Sequence, residues 1–264
     1  MTKFNGKVIW ITGASSGIGK ALTYALAAKG CKLVISSRKT TALERVKQGC
    51  DISENIAIVP LDLANFETME ATVAKAMSCF GAIDILINNA GISQRSLITN
   101  TSFSVYKQLM DINYLGTVAL SKAILPYFEE AKKGHFVTVT SLMGKFGSPY
   151  RSGYCAAKHA LHGFFDVLRM EHAKDSIAVT LICPGFVQTN VARNALTADG
   201  SPQDSEDTAT ENGLAVDYFV KKMIKAIARK KYEVYIGGGE VKGIYLKRFF
   251  PKLLHKVVLR SRVK

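Results

Sequence analysis

The sequence contains no long hydrophobic run and no closely spaced pair of cysteines. No apolar stretch approaches the ~18–20 continuous residues that cross a bilayer, so no membrane-spanning helix is predicted. The five cysteines are scattered without a Cys-x-x-Cys pair, which indicates reduced thiols rather than a disulfide framework or a zinc site. The apolar run at Val8–Ile11 is too short for a signal-peptide core, and no small-residue cleavage site follows it. We therefore expect a cytoplasmic protein.

Proline is also scarce, and the chain has neither internal repeats nor a low-complexity linker. With 6 prolines in 264 residues and 48% hydrophobic residues, the composition is typical of a soluble α/β domain with a full core. The formal net charge of +14 is large, and such a charge can indicate nucleic acid, an anionic membrane or an anionic ligand as partner. The distribution of the charge has to decide among these partners.

Short apolar runs rich in β-branched residues alternate with longer helical patterns. This order predicts βαβ units and a doubly wound sheet of seven mainly parallel strands with helices on both faces. The predicted strands are Val8–Thr12, Lys32–Ser36, Ile56–Pro60, Ile85–Ile87, His135–Thr140, Ala178–Ile182 and Tyr232–Ile236. The predicted helices lie near residues 17–29, 40–50, 66–80, 103–130, 152–173 and 214–230.

The distinctive residues of the chain directly follow predicted strands. In doubly wound sheets ligands bind beyond the carboxyl ends of the strands, so these residues are expected to share one site. They are Gly13, Ser37, Arg38, Asp62, Asn88 to Gly91, Ser141, Pro184 and Gly185.

A glycine-rich turn joins the first predicted strand to the first helix. Its spacing is Gly-x-x-x-Gly-x-Gly, which differs from the Gly-x-Gly-x-x-Gly fingerprint, and no Walker-type Gly-Lys-Ser/Thr follows. Glycines allow the backbone to approach a pyrophosphate, and a helix N-terminus offers free N–H groups to it. The turn predicts a dinucleotide site made by Gly13, Ser15, Ser16, Gly17, Ile18 and Gly19.

No carboxylate follows the second predicted strand, where an acidic residue would bind the ribose hydroxyls of NAD. Ser37 and Arg38 stand there instead, and a guanidinium can grip a phosphate with paired hydrogen bonds. Basic charge is unfavourable at the start of a helix unless an anion is bound there. These residues predict NADP(H) as the cofactor.

Three residues suggest the chemistry. Tyr154 and Lys158 are four residues apart on a predicted helix and therefore share one face, and Ser141 follows the fifth predicted strand. A phenol titrates near pKa ~10 in water, and a nearby ammonium lowers that pKa by favouring the phenolate. Tyr154 is thus a candidate general acid-base, with Ser141 a second donor to a developing alkoxide.

Together the motifs resemble the classical short-chain dehydrogenase/reductase family over residues 5 to 236. The matching motifs are Thr12-Gly13-x-x-x-Gly17-Ile18-Gly19, Asp62, Asn88-Asn89-Ala90-Gly91, Asn113, Ser141, Tyr154-x-x-x-Lys158 and Pro184-Gly185-x-x-x-Thr189. The resemblance implies a single Rossmann-type domain, a nicotinamide cofactor and carbonyl–alcohol chemistry. It implies that Lys158 also holds the nicotinamide ribose and that Asn113 supports a water relay to Lys158. Short segments resemble the membrane-associated hydroxysteroid-dehydrogenase branch of the family.

The resemblance also implies binding residues and subunit contacts. Cofactor contacts are expected from Asp62, Leu63, Asn89, Ala90, Gly91, Tyr154, Lys158, Pro184, Gly185, Val187 and Thr189. Substrate contacts are expected from Ser93, Gln94, Ser141, Met143, Phe146, Tyr150, Phe186 and Val191. Most of the latter are apolar or aromatic, which favours a lipid-like, steroid-like or aromatic ketone or alcohol. The long helices 103–130 and 152–173 would pair between subunits in a homodimer or homotetramer.

Residues 1–240 are predicted to form the catalytic domain, with a polar substrate lid at about 186–213. Residues 241–264 form a basic, amphipathic extension that either lies on an anionic membrane or packs on this domain or a neighbouring subunit. His159 and His162 have a spacing that could hold a metal, but no third ligand is evident and no metal is expected.

The principal prediction is an NADP(H)-dependent reductase. The alternatives are a non-catalytic dinucleotide sensor and a membrane-surface protein acting through its tail, and no nucleic-acid reader motif is present.

Overall fold

The computed structural model describes residues 3–261, and its centre is one sheet of seven strands. Every neighbouring pair of strands is parallel, in the order β3-β2-β1-β4-β5-β6-β7. The strands are β1 (Val8–Thr12), β2 (Lys32–Ser36), β3 (Ile56–Ile58), β4 (Ile85–Asn88), β5 (Gly134–Val139), β6 (Ile177–Pro184) and β7 (Glu233–Ile236). The predicted doubly wound, Rossmann-type sheet is confirmed.

Helices cover both faces of the sheet. They are α1 (Gly17–Ala27), α2 (Thr40–Gln48), α3 (Met69–Phe80), α4 (Phe103–Met110), α5 (Gly116–Glu130), α6 (Ser152–Glu171), α7 (Thr208–Glu211), α8 (Val216–Ala228), α9 (Lys242–Phe249) and α10 (Pro251–Arg260). Alternate residues of β1 enter two cores: Ile9 and Ile11 pack on the side of α1 and α8, and Trp10 packs on the side of α3, α5 and α6. Burial on both faces explains why the strands are continuous apolar runs without polar alternation.

The strand order reverses between β1 and β4, which places a crevice at their carboxyl ends. From β1 the chain builds outward through β2 and β3, and it then crosses to β4 and builds the other half. Loops on either side of this switch point diverge, so a ligand can lie between them. The glycine turn after β1 and the Asn89–Gly91 segment after β4 face this crevice.

The long helix predicted at 103–130 is interrupted. A π-helical segment, Asp111–Leu115, separates α4 from α5 and contains the fully buried Asn113. The next residue, Gly116, lies so close to the chain that a Cβ there would come 2.1 Å from the Leu63 carbonyl oxygen. Such π-turns insert an extra residue and often mark functional sites. A periodicity argument misses this insertion because the residues on both sides keep a helical pattern.

The C-terminal residues form two short helices that pack on the domain. Pro251 is at the first position of α10, where a backbone N–H would have no hydrogen-bond partner within the helix, so its absence costs nothing. Leu254 is buried in a cluster with Leu142, Phe146 and Cys183. Two of the cations predicted for this basic extension, Arg262 and Lys264, lie outside the described residues. Between residues 3 and 261, no helix combines the length and the apolar character needed to cross a membrane.

Candidate active site

Ser141, Tyr154 and Lys158 meet at the carboxyl end of β5. The Tyr154 hydroxyl is hydrogen bonded to the Ser141 side chain. Ser141 also accepts a hydrogen bond from the Met143 N–H at 3.0 Å, which fixes its rotamer at the start of a 3₁₀ turn. The Lys158 Nζ lies 5.8 Å from the centre of the Tyr154 ring and donates to the Val139 carbonyl at 2.9 Å. The three side chains predicted from spacing are thus brought together.

Burial controls the protonation of this pair. Burial raises the pKa of Tyr154 above its ordinary value, and the hydrogen bond with Ser141 opposes that rise. Burial lowers the pKa of Lys158 from 10.5 to about 8, because an ammonium loses its hydration there. In the protein alone, therefore, the lowered tyrosine pKa expected from the Lys158 charge is not seen. Desolvation outweighs the Ser141 hydrogen bond and the positive charges of Arg95 and Arg151, which lower the pKa of Tyr154.

Asn113 fastens the loop after β4 to the π-helical segment. Its Oδ1 accepts from the Ile92 N–H at 2.8 Å, and its Nδ2 donates to the Ile92 carbonyl at 2.9 Å. A Cβ at Gly91 would lie 2.9 Å from Asn113 Oδ1 and 3.5 Å from Lys158 Nζ. A side chain at position 91 would therefore crowd the Asn113 oxygen, whereas it would make only an ordinary contact with Lys158.

The glycine turn is held against the loop after β4 by side-chain hydrogen bonds. Asn89 Nδ2 donates to the Thr12 carbonyl at 2.9 Å, and Thr12 Oγ1 accepts the backbone N–H groups of Asn89 and Ala90. Gly13 has φ +66°, and a Cβ there would come 2.8 Å from the Ala90 Cα. The turn therefore needs glycine for both its dihedral angles and its packing.

The N-terminus of α1 is open to an anion. No side chain of the described residues caps it, and its first turn carries no acidic residue. The free N–H groups and the positive end of the helix dipole suit a pyrophosphate. Thr189, from the loop after β6, lies against Gly17, since a Cβ at Gly17 would be 3.2 Å from its Cγ2. The residues present therefore fit a dinucleotide running across the crevice.

Ser37 and Arg38 lie where β2 leads into α2. Ser37 Oγ accepts from the Lys39 N–H at 3.3 Å, and the Arg38 side chain is exposed. The first turn of α2 contains no acidic residue to neutralise the neighbouring cations Arg38 and Lys39. At the end of β3, Asp62 is exposed, whereas the Leu63 side chain is buried. A Leu63 contact to a cofactor would therefore have to come from its backbone.

The predicted substrate residues divide into two groups. Met143, Tyr150 and Phe186 are half-buried beside the crevice. Phe146 is buried, and its ring lies so close to Gly243 that a Cβ there would be 2.8 Å away. The Phe146 ring therefore packs beneath the C-terminal helices, and its contact with substrate stays a prediction.

Among the predicted residues that follow β6, Val187 is buried and pairs with Leu214, so the two ends of the 186–213 loop lie side by side. Phe186 N–H and Gly238 N–H both donate to Glu240 Oε1 at 3.1 Å. A Cβ at Gly185 would meet that same carboxylate oxygen at 2.1 Å. Glu240 thus fixes the start of the lid, and no sequence motif had indicated it.

Comparison with known proteins agrees with this geometry. A family model described as short chain dehydrogenase matches residues 7–200. A relative from Anopheles gambiae, dehydrogenase/reductase SDR family protein 7-like, is 40% identical over 266 residues, covering 98% of this chain and 83% of its own length. Human dehydrogenase/reductase SDR family member 7 is 43% identical over 235 residues, covering 87% of this chain and 69% of its own length. The chain belongs to the classical short-chain dehydrogenase/reductase family.

Solved structures of this oxidoreductase family share its fold. A short-chain dehydrogenase/reductase from Burkholderia phymatum in complex with NAD superposes with a TM-score of 0.83 at 23% identity, covering 100% of this chain and 99% of the other. The alcohol dehydrogenase from Thermococcus sibiricus complexed with 5-hydroxy-NADP gives 0.74 at 24% identity, covering 89% and 97%. The fold is thus compatible with either nicotinamide dinucleotide.

Gln94 caps the helix that carries Tyr154 in this short-chain dehydrogenase. Its Oε1 accepts the N–H groups of Gly153 at 2.8 Å and Tyr154 at 3.3 Å, the second and third residues of α6. Its Nε2 amide donates hydrogen bonds to Ser96 Oγ and Thr101 Oγ1. Gln94 was predicted to contact substrate, but the structure places it, fully buried, in this supporting network.

A buried ion triad joins the lid to the start of α6. Asp207 Oδ2 lies 2.5 Å from Arg95 Nη2 and 3.1 Å from Arg151 Nη2. Burial opposes ionisation of Asp207, but hydrogen bonds from Arg95 and Gln203 outweigh it and lower the pKa of Asp207. Burial and the Arg95 charge lower the pKa of Arg151 to about 10. Sequence reasoning missed this triad because its members are far apart in the chain.

A second polar cluster lies beneath the site, where the ligand atoms of His162, Cys183 and Glu233 are all within 4.8 Å of one another. Glu233 is paired with Lys145 at 2.9 Å, which already neutralises the carboxylate. Burial raises the pKa of the Cys183 thiol to about 12, so the sulfur stays protonated. A cation bound here would have to displace an ammonium and a thiol proton, which makes the cluster a poor metal site.

Proposed function

We propose that this protein is an NADP(H)-dependent oxidoreductase that interconverts a carbonyl and a secondary alcohol, with Tyr154 as general acid-base. The observation that carries this proposal is the Tyr154–Ser141 hydrogen bond above the buried Lys158, at the crevice that the glycine turn borders. A bound nicotinamide coenzyme would supply hydride transfer at the substrate carbon. The side chains of this chain would then handle the oxygen and its proton.

In the reductive direction the Tyr154 hydroxyl donates its proton to the substrate oxygen as negative charge develops there. Ser141 donates a hydrogen bond to the same oxygen and stabilises it in the manner of an oxyanion hole. Lys158 stabilises the phenolate that Tyr154 leaves behind, because the two charges attract in a site of low dielectric constant. The oxidative direction uses the same groups in reverse, with Tyr154 accepting the proton.

Cofactor contacts are proposed at the positions that border the crevice. The N–H groups at Ser15 to Gly19 would hold the pyrophosphate, and Asp62 would face the adenine. The segments Asn89–Gly91 and Pro184–Thr189 would line the two walls of the nicotinamide half. Lys158 would also bind the nicotinamide ribose, and Asn113 would support proton exchange with solvent. Their common placement around the switch point supports this assignment.

Preference for NADP(H) is proposed from Ser37 and Arg38. In the Arg38→Ala variant, the Michaelis constant for NADPH should rise by about 10- to 100-fold, the value of a lost charge-assisted hydrogen bond pair, while that for NADH stays unchanged. Arg45→Ala, which removes an exposed arginine from α2, the helix that follows Arg38, is the matched control. A wild-type enzyme that prefers NAD(H), or a variant with unaltered preference, would refute the assignment.

The substrate is proposed to be a mainly apolar ketone or alcohol, held by Met143, Tyr150 and Phe186 beneath the 186–213 lid. A screen of NADPH oxidation against ketones, steroids and aldehydes tests this proposal and its reductive direction. Turnover of any panel member that Tyr154→Phe abolishes supports catalysis. Dinucleotide binding with no turnover across the panel would favour the non-catalytic sensor.

We also propose a homodimer or homotetramer, formed through the outer faces of α5 and α6 and testable by sedimentation equilibrium.

A further inference from the structure

The outer side of the two C-terminal helices is both apolar and basic. Its exposed apolar side chains are Tyr245, Phe249, Phe250, Leu253 and Val257, and its exposed cations are Lys247, Arg248, Lys252, Lys256 and Arg260. We call this surface the C-terminal face. Phe249 and Phe250 are 67% and 62% exposed, which is unusual for adjacent phenylalanines in a folded protein.

The fold does not need these exposed side chains, because other residues anchor the helices. Leu254 and Val258, one turn apart, point into the cluster with Leu142 and Phe146. Gly243 lets α9 approach the Phe146 ring closely. The inner face therefore holds the helices on the domain and orients the outer face toward solvent.

Apolar and basic residues run side by side along α10. Phe250, Leu253 and Val257 are spaced three and four residues apart and share one stripe. Lys252, Lys256 and Arg260 repeat every four residues and form the neighbouring row. A helix with an apolar stripe flanked by cations is the pattern that lies in a membrane interface, with the rings among the acyl chains and the cations at headgroup level.

The positive charge of the C-terminal face indicates an anionic partner. From Lys242 to the end of the chain the sequence contains no Asp or Glu, so nothing on this surface would repel an anionic headgroup. An anionic leaflet contributes about 1 kcal/mol of attraction per nearby cation, and acyl chains accept the exposed rings. We propose that the C-terminal face docks this protein on the surface of an anionic phospholipid bilayer, without spanning it.

Sedimentation of the full-length protein with vesicles tests the docking. Wild type should partition onto phosphatidylcholine vesicles that contain about one third phosphatidylserine, bind pure phosphatidylcholine far less, and be released by ~1 M salt. Replacing both rings, in Phe249→Ser/Phe250→Ser, should reduce partitioning onto the anionic vesicles at least about tenfold. In Lys252→Gln/Lys256→Gln the loss should be about 25-fold, or fivefold per charge.

Matched controls use the same changes elsewhere. Phe103→Ser removes a ring that is 84% exposed at the start of α4, and Lys221→Gln/Lys222→Gln removes two exposed cations from α8. Both should partition like wild type. Circular dichroism and dinucleotide binding, measured on every variant, exclude misfolding as the cause of lost partitioning.

Three results would overturn the proposal. One is equal partitioning of wild type onto neutral and anionic vesicles, or none onto either. Another is a control variant that loses partitioning as strongly as the C-terminal variants. The third is a Phe249→Ser/Phe250→Ser protein that still partitions like wild type. If that protein also forms a smaller assembly than wild type in sedimentation equilibrium, the face is a subunit contact.

Discussion

The helix that carries Tyr154 and the 186–213 loop meet at Arg151, and different interactions hold them. Tyr154, Lys158 and Ser141 come from one stretch of 18 residues, so helical spacing and one strand end bring them together. The loop is fixed by Asp207, which reaches Arg95 and Arg151 across sequence separations of 112 and 56 residues. Local backbone geometry therefore brings the three candidate catalytic side chains together, whereas ion pairs between distant residues hold the 186–213 loop in place.

This difference separates two kinds of mutational effect. A change in the Tyr154 helix that keeps its packing should remove chemistry and leave stability nearly intact. A change in the buried triad should remove stability, because it leaves charge without a partner in the interior. Experiments that measure turnover and unfolding on the same variants can therefore show whether the division is real.

The largest expected effect is on turnover, in Tyr154→Phe. Loss of the hydroxyl removes the proposed general acid and should lower kcat by about 10²- to 10⁴-fold, with coenzyme affinity and the unfolding midpoint nearly unchanged. Turnover is measured as NADPH oxidation with a ketone from the substrate screen, and affinity by fluorescence titration. Tyr218→Phe, which makes the same change at an exposed position of α8, should behave as wild type. Substantial turnover by Tyr154→Phe would disprove the acid-base role.

Asp207→Asn should have the largest effect on stability. It leaves the Arg95 and Arg151 guanidiniums buried without a carboxylate, which costs about 3–5 kcal/mol of unfolding free energy. Urea unfolding measures this cost, and Asp204→Asn, at an exposed position of the same loop, is the control. Equal unfolding midpoints for the two variants would show that the triad does not hold the loop.

How well each region could be predicted follows from the same difference. Continuous apolar runs predicted all seven strands, because a strand that is buried on both faces of a parallel sheet needs apolar residues at nearly every position. The residues after those strands could be assigned to one region, because the carboxyl ends of parallel strands lie at the same edge of the sheet. Ser141, Tyr154 and Lys158 were predictable because their separations are those of one strand end and one helical turn.

The remaining features depend on contacts that sequence spacing does not encode. The π-turn at Asn113 lies beside the close approach of Gly116 to Leu63, a contact between residues far apart in the sequence. Phe146 packs against the C-terminal helices, a contact that its position in the sequence does not reveal. Asp207 read as one acid in a polar loop, because burial and its partners emerge only when the loop folds back on α6. The mobility of the predicted lid stays a prediction.

A smaller effect is expected in the pH dependence of stability, and it isolates Lys158. Burial lowers the pKa of Lys158 in the folded protein to about 8, against 10.5 ordinarily. Between these values the unfolded chain binds more protons than the folded one, so the contribution of this group to stability rises with pH. Below pH 8 the cost of burying the charge is fully present.

Lys158→Met removes this titration. Without coenzyme, the stability of wild type relative to Lys158→Met should therefore increase as the pH rises from 8 to 10.5. Chemical unfolding at closely spaced pH values measures the difference, with Lys75→Met, at an exposed position of α3, as the control for loss of a lysine. Parallel stability curves for wild type and Lys158→Met would show that the ammonium is not desolvated in the folded protein.

The smallest effect is expected at Gln94, where the two regions are joined. Gln94→Ala removes the acceptor for the Gly153 and Tyr154 N–H groups, and loss of such a cap costs about 0.5–2 kcal/mol. Because the cap also sets the start of the Tyr154 helix, kcat should fall modestly while the Michaelis constant for coenzyme stays unchanged. Gln108→Ala, at an exposed position of α4, controls for loss of a glutamine amide. Gln94→Glu keeps a side-chain acceptor at the helix start and should recover most of the lost kcat; if it recovers none, Gln94 acts on the site by some route other than the cap.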